Sequence, residues 1–185
     1  MKTNKICLAL IFLMLALALT ACNPAAGSTS TDETASLPPP PQETTPCAFT
    51  WATNPLPDVT SQVQTTLESA GLNAVTVRAE AYGENCTSGD GKVLSFGAME
   101  TDFHISLPVA SLTEDATLGG LLEKVLVVLD QFKPGQVPGP QPGYIGVEFT
   151  SGQDTLRLWF LRNASDSARQ QGLHGADLLN ALKSS

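Results

Sequence analysis

The chain has 185 residues, a hydrophobic fraction of 42% and a formal net charge of −8. That length fits one folded domain with accessory segments. The acidic balance argues against nucleic acid and against anionic lipid headgroups as partners, because both require a positively charged surface.

The first 21 residues have the three parts of a secretory signal peptide. Lys2 and Lys5 form a short basic start, the run Ile6 to Leu19 is nearly all apolar, and the small residues Thr20 and Ala21 follow. An apolar run of this length is a poor membrane span, so we expect residues 1–21 to be removed. The remaining chain would carry 8 basic and 18 acidic side chains, a net charge of −10.

The sequence Leu19-Thr20-Ala21-Cys22 resembles the lipobox of bacterial lipoproteins. The resemblance implies that Cys22 receives a thioether-linked diacylglycerol, that the chain is cut before it, and that the new amino group is acylated, with palmitate as a typical acyl chain. Two or three acyl chains give stable anchoring. The resemblance therefore implies a domain on the extracytoplasmic side of the cell membrane. Asn23 follows the cysteine, so an outer-membrane location in the cell envelope is also allowed.

Residues 22–46 read as the lipidated cysteine followed by a disordered tether. Ser, Thr, Ala and Pro dominate the segment, and Pro38 to Pro41 are consecutive prolines. Such a composition cannot bury enough apolar surface to fold, and the proline run favours an extended conformation. We expect the folded domain to span residues 47–185.

Cys47 and Cys86 are the two cysteines that remain in the predicted domain. An even pair in an exported protein predicts a disulfide. A metal site built on the two thiolates is the alternative, but no second pair of ligands has suitable spacing.

The first half of the domain predicts a helix followed by two strands. Pro57-Asp58 begins a helical stripe that ends at Gly71, and residues 74–82 alternate as a half-buried strand. Residues 83–91 are typical of a loop. Leu94, Phe96 and Ala98 share one parity, whereas Phe103, Ile105, Leu107 and Val109 share the other, which predicts a bulge between Gly97 and Thr101.

The second half predicts a core helix, a hairpin and a last helix. Ser111 and Glu114 suggest a capping box before a very apolar helix over residues 118–132. Residues 133–143 read as a loop, 144–150 and 155–161 as a hairpin, and the segment from Asn163 or Ser165 to Lys183 as a helix broken near Gly172 and Gly175. The predicted fold is α+β, a mainly antiparallel sheet of about four strands with helices on one face, in the order αββαββα.

Glu100, Asp102 and His104 alternate in a predicted strand, so their side chains would share one face. Such a trio can bind a metal or transfer protons, but it also fits an ordinary solvent-facing strand. His174, beside a glycine, is expected to be exposed. We assign no catalytic, metal or cofactor-binding residue, since the sequence lacks a nucleophile elbow, a P-loop and a dinucleotide-binding glycine pattern.

Two further features could serve a partner. The loop from Lys133 to Tyr144 is long and rich in proline and glycine, so it is either a partner surface or a rigid crossover. Trp51 and Trp159 could stack on a sugar or fill the core, and the neighbours Leu156, Leu158 and Phe160 favour the core for Trp159.

These features favour a lipid-anchored, non-catalytic module that binds an envelope protein or another envelope component. A small-solute or metal-binding surface domain is the alternative. A hydrolase that uses Asp102 and His104 is a third and weaker reading.

Overall fold

A computed structural model describes residues 46–184 of the chain. The predicted signal peptide, Cys22 and the predicted tether up to residue 45 lie outside the described residues. Nine elements follow in chain order: β1 (Ala48–Pro55), α1 (Pro57–Ser69), β2 (Thr76–Thr87), β3 (Val93–Pro108), α2 (Asp115–Leu129), β4 (Gln141–Ser151), β5 (Asp154–Leu161), α3 (Arg162–Gln170) and α4 (Gly175–Lys183). Within this range no helix combines the length and the apolar character needed to cross a membrane.

The strands form one sheet in the order β1-β2-β3-β4-β5. Neighbours are antiparallel except β3 and β4, which are parallel because the crossover through α2 returns the chain to the end of the sheet where β3 began. The α+β class and the mainly antiparallel sheet are confirmed. The count of about four strands and the order αββαββα are wrong, since β1 precedes α1 and the last helical segment is two helices.

Strands β2 and β3 pair as a long hairpin that is extended further than predicted. Residues 83–87, expected in a loop, continue β2 as far as Thr87. The predicted bulge in β3 is confirmed, because Ala98 pairs with Gly83 and Glu100 with Tyr82, which leaves Met99 as the extra residue. The bulge switches the parity of the strand, so that Phe103 and Ile105 face the core.

One hydrophobic core lies between the sheet and the helices. The inward side chains of β2 to β5 pack with the buried faces of all four helices, and α2 supplies the largest helical share: Leu118, Leu122, Val125, Leu126, Val128 and Leu129. Pro57 occupies the first turn of α1, where its missing N–H costs nothing, and Val63 and Leu67 face inward. Because α2 contributes the most buried helical residues, the very apolar core helix predicted over residues 118–132 is confirmed.

The two ends of α2 differ from the expected capping. The predicted capping box of Ser111 and Glu114 is wrong, because the helix begins at Asp115 without a side-chain cap and Ser111 Oγ instead accepts the Thr113 N–H at 3.2 Å. At the other end, the buried Arg162 guanidinium donates to the carbonyl oxygens of Leu129 and Phe132. The first carbonyl belongs to the last residue of α2 and the second to the turn that follows it, so Arg162 ties the end of α2 to the start of α3.

The C-terminal part follows the predicted pattern. The β4–β5 hairpin closes through Gly152 and Gln153, and Gly152 has a φ of +61° that the tight turn requires. The final helical segment breaks at Gly172, where φ is +81°. The first residue of α4, Gly175, then lies against Gly119 of α2 so closely that a side chain on Gly119 would meet its carbonyl.

A disulfide joins Cys47 to Cys86, with Cα atoms 5.1 Å apart, which confirms the predicted pair. It connects the start of the edge strand β1 to the end of β2.

Candidate functional site: the open face of the sheet

The four helices pack on one face of the sheet, and among residues 46–184 no helix covers the other face. We call this second face the open face. Strands alternate their side chains, so the residues between the core positions all point to it. Its main members are Trp51, Arg78, Glu80, Tyr82, Glu100, Asp102, His104, Tyr144, Gly146, Glu148, Arg157 and Trp159.

Trp159 lies at the centre of an aromatic group on the open face. Its ring is nearly parallel to that of Tyr144, with centroids 5.3 Å apart and an interplanar angle of 4°. His104 lies on it as well, with centroids 5.0 Å apart. Trp159 is 46% exposed. The expectation that Trp159 fills the core is therefore wrong, because strict alternation sends it to the face opposite Leu158 and Phe160.

Gly146 makes this arrangement possible. It pairs with His104 on β3 and with Trp159 on β5, so the three residues form one row across the sheet. A Cβ at Gly146 would come within 2.7 Å of the indole ring. The absence of a side chain on Gly146 thus leaves room for the Trp159 ring, which stacks with Tyr144 and His104.

A second aromatic pair lies nearer the β1 edge. Trp51 stacks on Tyr82 with centroids 5.3 Å apart and an interplanar angle of 7°. Trp51 is 60% exposed, so both tryptophans of the chain present ring surface to solvent. Large exposed aromatic groups on one face are typical of a binding surface.

Glu100, Asp102 and His104 do share the open face, as predicted. Asp102 Oδ1 accepts the backbone N–H of Tyr144 at 2.7 Å and lies where a side chain on Gly143 would be. Burial raises the pKa of Asp102 above its ordinary value. Burial, and then the charge of Asp102, raise the pKa of Glu100 as well.

His104 is shifted toward its neutral form. Its burial, followed by the nearby charge of Arg78, lowers its pKa below the ordinary value. Its Nε2 is 3.6 Å from Glu80 Oε2, and Glu80 also pairs with Arg78. Because it stacks with Trp159, the imidazole extends the aromatic surface of the open face.

The described residues do not bring together a set of three His, Cys, Asp or Glu side chains suited to holding a metal ion. The trio of the open face therefore shares a face without converging on a point. Asp102 directs one oxygen to a backbone N–H, which favours a positioning role over proton transfer.

Trp159 separates two hollows of the open face. The first, of about 450 Å³, has mixed charge, with Arg78, Arg157 and Glu148 among its lining residues. The second, of about 670 Å³, we call the acidic hollow. It is lined by Tyr82, Glu100, Asp102, Gln141, Pro142, Tyr144, Trp159, Leu161 and Asn163.

The predicted loop from Lys133 to Tyr144 divides into two parts, since its last residues begin β4, where Gln141, Pro142 and Tyr144 line the acidic hollow. The loop after α2 packs against the sheet, because Val137 is buried and Thr101 Oγ1 donates to the Pro138 carbonyl at 2.7 Å. This supports the rigid crossover over the partner surface. His174 is 75% exposed, as expected, and its Nδ1 lies 3.3 Å from Glu123 Oε1. Cys22 lies outside the described residues.

Sequence reasoning missed the aromatic face, although a signal for it was present. Tyr144, Gly146 and Glu148 alternate with buried residues, as do Arg157, Trp159 and Leu161. Counting parity from the buried Phe160 places Trp159 on the face opposite the core, and the buried Ile145 and Ile105 do the same for Tyr144 and His104 on their own strands.

No protein-family profile, curated protein or solved structure matches the chain.

Proposed function

We propose that the chain is a lipid-anchored, non-catalytic binding module of the cell envelope. Its open face would hold an envelope component while Cys22 fixes the chain to the membrane. The observation that supports the proposal most directly is the uncovered sheet face with Trp51–Tyr82 and Tyr144–Trp159–His104 on it.

The anchor part of the proposal rests on the lipobox-like sequence before Cys22. The disulfide between Cys47 and Cys86 agrees with an oxidising compartment. Both features are consistent with a domain presented outside the cytoplasm, on the cell membrane or the outer membrane.

Labelling with palmitate tests the anchor. We expect the full chain to take up label and to fractionate with membranes when it is produced in a lipoprotein-processing bacterium. Cys22→Ser should lose both properties, because the thiol is the acceptor of the lipid. Cys7→Ser, within the predicted signal peptide, is the matched control and should keep them. A wild-type chain that takes up no label would contradict the anchor.

A thermal-shift screen of the full chain in detergent tests the binding part. The panel comprises sugars, amino acids, organic amines, peptidoglycan fragments and metal ions. A ligand at 100 times its dissociation constant adds about 2.7 kcal/mol to the free energy of unfolding. For a domain of this size that raises the melting temperature by roughly 2–5 °C.

Trp159→Ala should abolish the shift, whereas Val127→Ala should not. Val127 is an apolar residue of α2 that is 60% exposed and lies away from the sheet. A shift that survives Trp159→Ala unchanged would show that the ligand does not use the open face.

The acidic hollow is the place that the alternative of a small solute would use. It offers carboxylates and aromatic rings from neighbouring strands.

A further inference from the structure

We propose that the acidic hollow binds an organic ammonium group, with its charge held by Glu100 and Asp102 and its carbon substituents against Tyr82, Tyr144 and Trp159. This inference rests on the proposed function, since it names the ligand class of the same open face.

The first support is the way the hollow is built. Four neighbouring strands contribute to it: Tyr82 comes from β2, Glu100 and Asp102 from β3, Tyr144 from β4, and Trp159 from β5. The β3 bulge sets the parity that turns both carboxylates to this face. The strand scaffold therefore holds three rings and two carboxylates around one space of about 670 Å³.

The second support is charge. The residues that line the hollow include two carboxylates and no Lys, Arg or His. The basic residues of the open face are placed elsewhere, because Arg78 pairs with Glu80 and Arg157 with Glu148. The hollow is thus negative and complementary to a cation.

The pKa shifts of the two carboxyl groups agree with a site for a cation. Burial raises the pKa of both Glu100 and Asp102, and the charge of Asp102 adds to the effect on Glu100. Burial acts in this direction because it penalises the charged form of a carboxyl group. A bound cation would lower both pKa values and thereby gain binding energy.

The third support is the aromatic lining, which distinguishes an ammonium group from other ligands. The face of an indole or phenol ring attracts a cation electrostatically, and it also packs against methyl or methylene groups. A hard metal ion gains little from such rings and prefers several oxygen ligands. A neutral sugar could stack on the rings but would leave the two carboxylates without compensation.

Choline and cadaverine are suitable probes, with 3,3-dimethyl-1-butanol as the uncharged equivalent of choline. Tryptophan fluorescence and calorimetry on the full chain in detergent would report binding to Trp159. We expect at least one of the two cations to bind about tenfold or more tightly than the neutral alcohol, because only a cation gains from the carboxylates. Added salt should weaken the binding of the cation.

Two carboxylate variants locate the site. Glu100→Gln should weaken binding of the cation by about tenfold, since it removes one of the two charges at nearly constant shape. Glu68→Gln is the matched control, because it removes the same charge from an exposed position of α1, on the helical side of the sheet, and affinity should be unchanged.

Each outcome decides the proposal. Equal binding of choline and the neutral alcohol, an equal effect of the two variants, or no binding of either cation would overturn the ammonium site. If a neutral oligosaccharide then binds and Trp159→Ala abolishes that binding, the proposed function stands with a different ligand. If no ligand of the panel responds to Trp159→Ala, the open face itself fails as the binding surface.

Discussion

At the scale of single residues, Asp102 is the group whose environment is most informative. Its pKa is raised by burial, although its Oδ1 accepts the Tyr144 N–H. A carboxyl group with a raised pKa in the folded state contributes stability below its unfolded pKa of about 3.9 and loses that contribution as the pH rises through the folded value. The ionised form of Asp102 therefore lowers the free energy of unfolding at neutral pH.

Asp102→Asn should consequently raise the free energy of unfolding at pH 7. The amide oxygen can still accept the Tyr144 N–H, and the buried charge is gone. Because the side chain is only half-buried, the gain should be less than about 1 kcal/mol. Urea denaturation at pH 7 and at about pH 3.5 measures it, and the gain should vanish at the acid end. A loss of stability at pH 7 would show that the charge is needed for the hydrogen bond.

Predictions for single residues were right where they used the alternation of side chains along a strand. They were wrong where they used the apolar character of the residues next in sequence. Parity placed Glu100, Asp102 and His104 on one face correctly. Trp159 was assigned to the core because apolar residues flank it in sequence, but in a strand adjacent residues point to opposite faces. The distance between Trp159 and His104 depends on the order of strands, which the sequence of one chain does not specify.

At the scale of elements, the packing of α2 on α4 depends on one glycine. A Cβ on Gly119 would lie 2.1 Å from the Gly175 carbonyl oxygen, whereas a Cβ on Gly120 meets nothing within 4 Å. Gly119→Ala should therefore lower the free energy of unfolding by about 2 kcal/mol or more, as overpacking does. Gly120→Ala should raise it by roughly 0.5–1 kcal/mol, because alanine favours the helix.

Thermal denaturation of the two variants side by side measures the contrast. A similar effect of both would mean that the helices can separate without cost. The pair suits such a test because the two glycines are neighbours in the same helix and differ only in what they face.

Element boundaries show where sequence patterns lose information. The helices α1 and α2 were readable because their apolar stripes face the core. Strand β1 was missed because its large side chains, Phe49 and Trp51, face solvent and only Ala52 is partly buried. A strand with almost no buried side chain shows no clear alternation of polar and apolar residues. Strand β1 is therefore recognised only through its pairing with β2.

At the scale of the whole molecule, the disulfide stabilises the fold at its most exposed edge. The Cys47–Cys86 bond closes a loop with a sequence separation of 39 residues. Loop-closure entropy gives it a contribution of up to roughly 4 kcal/mol, by limiting the unfolded chain. No described residue of β1 belongs to the buried core, so the bond is a main constraint on that strand.

In the double variant Cys47→Ser/Cys86→Ser, the free energy of unfolding measured by urea denaturation should fall by up to roughly 4 kcal/mol. Hydrogen exchange should increase first in β1. A reductant should lower the stability of the wild type and leave the variant unaffected. An identical denaturation midpoint for the wild type with and without reductant would contradict the stabilising role of the bond.

The position of the disulfide also has a mechanical consequence for the proposed tethered arrangement. Tension in the chain before Cys47 does not have to peel β1 from the sheet one hydrogen bond at a time. The load passes through the sulfur atoms to Cys86 and so to β2, which is held on both sides by β1 and β3. In the proposed arrangement, a pull on the chain before Cys47 would thus be carried by a covalent bond and an internal strand, and not by the hydrogen bonds of β1.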